Sequence, residues 1–320
     1  MKKNKIKDTG LEVTELSFGT SSLGSMPDTY GYEVPEDRAQ KTLNRFFQGP
    51  VNMLDTSRNY AMGESEKRIG KAIKENGGWP NGFLLSTKLD RNMDTLVLDK
   101  NRVRESLEES LKTLNVDSVD ILFLHDPEYA KDITDITKKD GAMDELFKIK
   151  NEGLAKAAGV AMGKVDIMFP LLKDWDFDVI INHNRYTLIN REANEMYDYA
   201  SSKNIAIFNA APYAGGVLAK GPDNFKKITY QDATEEKLAP AREFEKVCKK
   251  HNVELGAAAL QFSLRDNRIT STICGVTSVE SIEKNLAWAN AEISDEFWDE
   301  ISKLSFSIND PESERVFTPG

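Results

Sequence analysis

Asn52-Met53-Leu54-Asp55-Thr56-Ser57-Arg58-Asn59-Tyr60-Ala61-Met62-Gly63-Glu64-Ser65-Glu66-Lys67-Arg68-Ile69-Gly70 passes through three textures: a short apolar run, a polar loop, and an amphipathic segment. The run ends on an acid and does not alternate, as a strand buried on both faces should not. The same order recurs along the chain. Strand candidates are 16–19, 52–55, 83–88, 119–125, 155–160, 179–182, 205–211 and 270–275. Helical patterns lie between them at 36–47, 64–75, 101–114, 142–150, 193–203, 235–251 and 279–288. In 101–114, Val103, Leu107, Leu111 and Leu114 recur at helical spacing, with Arg104, Glu108, Glu109 and Lys112 facing away.

Strand–helix alternation of this kind calls for a parallel sheet, and eight units suffice to close a (β/α)₈ barrel. The competing architecture is an open, doubly wound sheet. Its usual dinucleotide fingerprint, GxGxxG opening a helix, is absent from the sequence. Ahead of the first unit, Lys5-Ile6-Lys7 and Leu11-Glu12-Val13 flank Asp8-Thr9-Gly10 and read as an N-terminal β-hairpin. No low-complexity linker or composition break divides the 320 residues, which are expected to form one barrel domain.

Composition removes several classes of function. The formal charge is −10, and no Lys/Arg cluster survives its acidic neighbours, so nucleic acid is not an expected partner. No apolar stretch is long enough to span a bilayer and no signal-peptide core opens the chain, so no membrane role is expected. Two cysteines make no disulfide framework, and the expected location is cytoplasmic. Three histidines without HExxH or Cys/His spacing predict no metal site.

In such a barrel the chemistry belongs where strands end at the C-terminal face. The second strand ends on Asp55, and its loop presents Tyr60. The third ends on Lys88 and the fourth on His125. A phenol loses its proton near pH 10, too reluctantly for a base at neutral pH; an adjacent ammonium draws that value down. An aspartate would hold the ammonium, and an imidazole would orient the reacting oxygen. The set reads as a proton-transfer device centred on Tyr60. Each member alone also has a plain structural reading: Asp55 as a turn cap, Lys88 as a solvated strand end, His125 and Tyr60 as packing residues. One rim explains all four together.

The stretch Gly49 to Gly70, with Ser86-Thr87-Lys88, Leu124-His125-Asp126-Pro127, Lys150-Asn151-Glu152-Gly153-Leu154 and Ile273-Cys274-Gly275 through Asn285, resembles the aldo-keto reductase family over nearly the whole chain. Within it, His125-Asp126-Pro127-Glu128, Asn184-Arg185-Tyr186-Thr187-Leu188 and Ala210-Ala211-Pro212-Tyr213 resemble the aldose 1-dehydrogenase branch, which acts on fucose- and galactose-type sugars. The resemblance implies the tetrad Asp55, Tyr60, Lys88 and His125, a nicotinamide dinucleotide across the barrel mouth, and a small sugar or aldehyde substrate. It implies cofactor contacts from Gly19, Thr20, Asp55, Asn182, His183, Pro212, Tyr213, Gly275, Thr277, Ser278, Ser281 and Asn285.

Several positions depart from the family pattern. Ala161-Met162 replace a Ser-Asn pair, His183 replaces a glutamine, and Ala61 replaces the glycine after the tyrosine. Ala210 and Ala211 stand where a stacking tyrosine is common, leaving Tyr213 as a substitute. Gly275 and Ser281 replace the cations that hold a 2′-phosphate, Lys284 is the one cation nearby, and Glu280 and Glu283 would repel a phosphate. The expected cofactor is therefore NAD or NADP, with NAD favoured. The helix after Gly275-Val276-Thr277-Ser278 can hold phosphate at its N-terminus, or Thr277 or Ser278 can simply cap it. Other readings are a broad NADPH-linked aldehyde reductase, a non-catalytic nucleotide-sensing subunit, and a Schiff-base enzyme using Lys88. Tyr30, Tyr32, Trp79 and Trp175 are the aromatic candidates for sugar stacking, with only the first two in a loop expected at the mouth.

Overall fold

Thr272 lies opposite Leu16, and Gly275 opposite Gly19, in parallel; this seam joins the last strand to the first and closes a barrel. A computed structural model of the protein describes residues 1–315. Its strands are β1 (Leu16–Gly19), β2 (Met53–Asp55), β3 (Leu84–Leu89), β4 (Val119–His125), β5 (Ala155–Met162), β6 (Val179–His183), β7 (Ala206–Ala210) and β8 (Ile269–Gly275). Each pairs in parallel with the next. The longer helices are α1 (Glu36–Phe46), α2 (Glu64–Glu75), α3 (Lys100–Leu114), α4 (Ala142–Asn151), α5 (Val165–Asp174), α6 (Asn194–Ser202), α7 (Glu235–Lys250), α8 (Leu255–Leu264), α9 (Val279–Ala289) and α10 (Asp295–Ile301).

β1, β4 and α2 keep the bounds that the sequence predicts. Three helices escape the periodicity for physical reasons. α5 carries Pro170 in its middle. α8 is buried from Gly256 to Gln261, so it has no polar face to alternate with. α10 is only seven residues long.

The N-terminal hairpin is present but pairs Lys3–Lys5 with Glu12–Thr14, so Ile6 and Lys7 belong to the turn rather than to a strand. Ile6, Leu11 and Val13 are buried, and they pack with Met53, Leu84, Val179 and Ala206 inside the barrel. Each such fully buried aliphatic side chain contributes about 1.5–3 kcal/mol. Asn52 ties the hairpin down: its side chain accepts from the Thr14 amide at 2.8 Å and donates to the Glu12 carbonyl at 2.9 Å. That end of the barrel is thereby plugged.

Strand parity then builds the other end. Met53, Leu84, Ile121, Phe123, Ile181, Phe208 and Ile273 fill the barrel interior. Leu54, Leu85, Leu122, Leu124, Ile180 and Ile207 face the layer beneath the helices. Two residues above Met53 is Asp55, and above Phe123 is His125; Lys88 stands at the fourth residue from Leu84. The inward positions at the rim are therefore the polar ones.

Candidate active site at the barrel mouth

A cavity of about 360 Å³ opens at the C-terminal rim, lined among others by Asp55, Tyr60, Lys88, Asp90, His125 and His183. Lys88 is buried beneath it. Its Nζ donates to Asp55 Oδ2 at 2.7 Å and to the Thr56 carbonyl at 2.6 Å, while Ser86 Oγ donates to Asp55 Oδ1 at 2.9 Å. The same Nζ lies 4.6 Å from the centroid of the Tyr60 ring, so the cation sits against the face of the phenol. The Tyr60 and His125 rings meet edge to face, with centroids 5.8 Å apart.

The phenol does not behave as the sequence reading expected. Burial, followed by the charge of Asp55, holds the Tyr60 hydroxyl well above pH 10 in the free protein. The reason is geometric. Lys88 is neutralised by Asp55 and bound by Thr56, so its charge does not offset the cost of ionising a buried phenol. In the free protein the phenol therefore keeps its proton at neutral pH.

Ala61 adopts φ 52° and ψ 47°. A left-handed alanine costs about 1–2 kcal/mol. Space for its methyl comes from Gly24, where an added Cβ would stand 2.5 Å from that of Ala61.

His125 has a partner that sequence reasoning passed over. Asp90 is fully buried, two residues beyond Lys88 and on the same side of the strand path. Its Oδ1 lies 2.6 Å from His125 Nδ1, and its Oδ2 accepts from Ser57 Oγ at 2.6 Å and from the Asn59 amide at 3.0 Å. Strand parity was the available signal. Asp126 lies between two imidazoles, 3.8 Å from His125 Nε2 and 4.0 Å from His183 Nε2. It takes a left-handed backbone, φ 44°, to do so. Burial lowers the His125 pKa, but Asp126 and Asp90 outweigh it and the net shift is upward. His183 goes the other way, lowered chiefly by burial.

The expected cofactor residues divide by parity. Gly19, Asp55, His183, Tyr213 and Gly275 line the cavity. Gly19 and Gly275 are register partners, so the rim between β1 and β8 carries no side chain. That bare seam, the apolar floor of Ala161, Ile181, Ala210 and Ile273, and the ring nitrogens of His183 suit a flat amide-bearing ring. Asn182 has the opposite parity: its amide donates to the Met162 and Gly163 carbonyls outside the barrel interior. Thr20 is buried and donates to the Asp55 carbonyl at 2.9 Å. Pro212 is buried beside Tyr213. The Tyr213 hydroxyl is bound to Asn285 Oδ1 at 2.5 Å, and its ring packs against Trp288, 5.6 Å away.

Ser278 is the N-cap of α9, in a reciprocal capping box with Ser281. Ser281 Oγ accepts from the amides of Thr277 and Ser278 at 2.9 and 3.0 Å. Thr277, Ser278, Ser281 and Asn285 therefore sit beyond the cavity, past the glycine seam.

Of the aromatic candidates, Tyr30 and Tyr32 line the cavity. Trp79 packs on Phe46 and Phe47, and Trp175 stacks on Phe147, so both belong to the outer layer. Tyr230, Arg91 and Arg315 also line the mouth. They come from loops and the C-terminal tail, which carry no periodic signal. Among the described residues, no group of three or more His, Cys, Asp or Glu side chains is placed to hold a metal ion. No described helix is long and apolar enough to cross a membrane.

A closed parallel barrel with a buried Lys–Asp pair beneath a rim tyrosine and histidine is the architecture of a nicotinamide-dependent oxidoreductase. The family model described as "Aldo/keto reductase family" matches residues 15–305, and the chain belongs to that family. It is 31% identical to L-galactose dehydrogenase of Arabidopsis thaliana over 284 residues, covering 88% of this chain and 85% of the relative. It is 27% identical to D-threo-aldose 1-dehydrogenase of a Pseudomonas species, covering 92% and 94%. Among solved structures, the holo form of an aldo-keto reductase from Bacillus halodurans matches with a TM-score of 0.79 at 22% identity, covering 99% and 100%. That likeness supports the fold.

Proposed function

We propose that the protein oxidises an aldose at its anomeric carbon to the lactone, with NAD as the preferred cofactor. The observation that carries the reading is Tyr60 and His125 at one rim, over the buried Lys88–Asp55 pair. Likeness to two aldose dehydrogenases supports the substrate class.

A nicotinamide dinucleotide, when bound, supplies the hydride acceptor; Gly19, His183 and Gly275 would hold it. The proton is the work of this chain. As C1 gives up its hydride, its O–H proton passes to the Tyr60 oxygen in phenolate form, the phenol having first released its own proton to solvent, and the C=O bond forms. His125 holds the reacting oxygen in place, and Lys88 with Asp55 keeps the phenol ring seated. The polar groups set in the mouth, Asp126, His183 and Asn59 among them, would discriminate epimers, because a misplaced hydroxyl leaves buried polar groups unpaired.

NAD is favoured by the residues near α9. Glu283 is held by Arg45 at 2.6 Å, Glu280 is exposed, and Lys284 lies over Trp288, 4.6 Å from its centroid. None of these α9 residues offers a 2′-phosphate an unengaged cation; Arg38 of α1, exposed and acting on Glu280, is the side chain an NADP-binding rival would use.

One observation favours a carbonyl reductase instead: Tyr60 is held protonated, the form a reductase uses. A Schiff-base reading fares worse, because Lys88 Nζ donates to both Asp55 and Thr56. Assaying NAD and NADP reduction with paired epimers such as fucose and rhamnose, beside benzaldehyde reduction, separates the two readings. Strong epimer preference with NAD is expected. Indifference to sugar stereochemistry with fast aldehyde reduction would overturn the proposal.

A further inference from the structure

His125 Nδ1 can carry only one arrangement of hydrogen. Asp90 Oδ1 is 2.6 Å away, and the other carboxylate oxygen already accepts from Ser57 Oγ and the Asn59 amide. A carboxylate accepts and never donates, so Nδ1 must bear the proton. Asp90 is fully buried and its own pKa is lowered: burial raises it, but the His125 charge together with the hydrogen bonds from His125, Ser57 and Asn59 outweighs burial. The ring's other nitrogen, Nε2, faces the mouth.

We propose that Asp90 is a positioning residue that fixes the His125 tautomer, so that Nε2 can only accept a hydrogen bond while the ring is neutral and donates one only as imidazolium. The inference rests on the reading of His125 as the partner of the reacting oxygen. It adds a consequence that reading lacks. A carbonyl oxygen offers lone pairs and needs a donor, so the ring serves reduction in its charged form. An anomeric hydroxyl can give as well as accept a hydrogen bond, so oxidation tolerates the neutral ring. Direction is thereby linked to the charge of one imidazole.

The groups facing the ring set where that charge changes. Asp90 at Nδ1 and Asp126, 3.8 Å from Nε2, favour the imidazolium. Lys88 and His183 oppose it, burial opposes it, and the protonated Tyr60 presents a neutral edge. Without Asp90 the ring could place its neutral proton on Nε2 and donate at any pH.

The first readout needs neither cofactor nor substrate. In the free protein with ¹⁵N-labelled histidine, the His125 resonances, assigned by their loss in His125→Gln, are titrated by NMR. The proposal expects a neutral ring protonated on Nδ1, and a midpoint above the ordinary histidine value. In Asp90→Asn the midpoint should fall by about one pH unit or more. The basic limb of kcat/KM for carbonyl reduction should fade or move down with it. Asp90→Glu should restore both. A wild-type ring protonated on Nε2 would overturn the proposal without any variant, as would a midpoint unmoved in folded Asp90→Asn. Failure of the aldose reading would leave these titrations untouched.

Discussion

Arg185 donates to Glu312 across 127 residues of chain, and each of the two side chains is only 1% exposed. Asp310 takes a second donor of the same guanidinium at 2.6 Å, and Glu312 also accepts from Arg315 at 2.6 Å. The tail after α10 is thus strapped to the end of β6, with Arg315 set at the mouth. Arg185 lies beside His183, whose Nδ1 is 3.7 Å from Glu312.

Glu312→Gln removes the buried counter-charge of Arg185 and the anchor of Arg315. Breaking a buried pair by removing one partner costs about 3–5 kcal/mol; Asp310 keeps the loss at the lower end. KM for the substrate should rise several-fold while kcat changes less. Denaturant unfolding and steady-state kinetics check both; an unchanged midpoint and KM would mean that the strap is idle.

Lys88→Met leaves the Asp55 charge buried alone and should be both unstable and slow. Lys88→Met/Asp55→Asn removes both charges, and its stability should return toward that of the wild type. Turnover should stay at least about 10²-fold down. Recovery of turnover in the double variant would make the pair structural only.

Burial pushes the Glu66 carboxyl up to about 7. Thr87 Oγ1 donates to its Oε1 at 2.6 Å and the Ser110 hydroxyl lies against the carboxyl, but the two together do not offset burial. A carboxyl raised in the folded state destabilises as pH climbs from its unfolded value near 4.3 to about 7, then levels off. Glu66→Gln should therefore gain stability over the wild type between pH 5 and pH 8, by up to roughly 3 kcal/mol. A difference independent of pH would contradict this.

Gly24→Ala should cost about 1–3 kcal/mol, because the new methyl meets that of Ala61. In an Ala61→Gly background that cost should fall but not vanish, because the Ser65 amide at 3.0 Å and its Cβ at 3.3 Å still crowd the new methyl. Thermal melts of the four proteins give the coupling; simple additivity would show that the two positions do not touch in solution.

The sequence made the barrel legible because strands buried on both faces read as unbroken apolar runs, and because Asp55, Lys88 and His125 each end one. It concealed Asp90, although Lys88-Leu89-Asp90 has the parity that places both acid and cation inward. It assigned Asn182 to the cofactor beside His183, where parity sends the two side chains to opposite sides of the sheet. Glu312 and Arg315 could not be read at all. Their roles come from long-range closure of the tail onto Arg185, which leaves no local pattern. The pKa of Tyr60 was missed for a related reason: the charge of Lys88 was counted, but not its neutralisation by Asp55 or the burial of the phenol.

The central claim is that Tyr60 handles the proton in aldose oxidation, and Tyr60→Phe tests it with the loss of one oxygen. The measurement is kcat for NAD reduction by the preferred aldose, with NADH affinity followed by fluorescence in the same samples. The account predicts a fall of about 10²-fold or more in kcat, on the scale of general acid–base catalysis, with NADH affinity nearly unchanged. Turnover within a few-fold of the wild type would contradict it and remove Tyr60 from the mechanism.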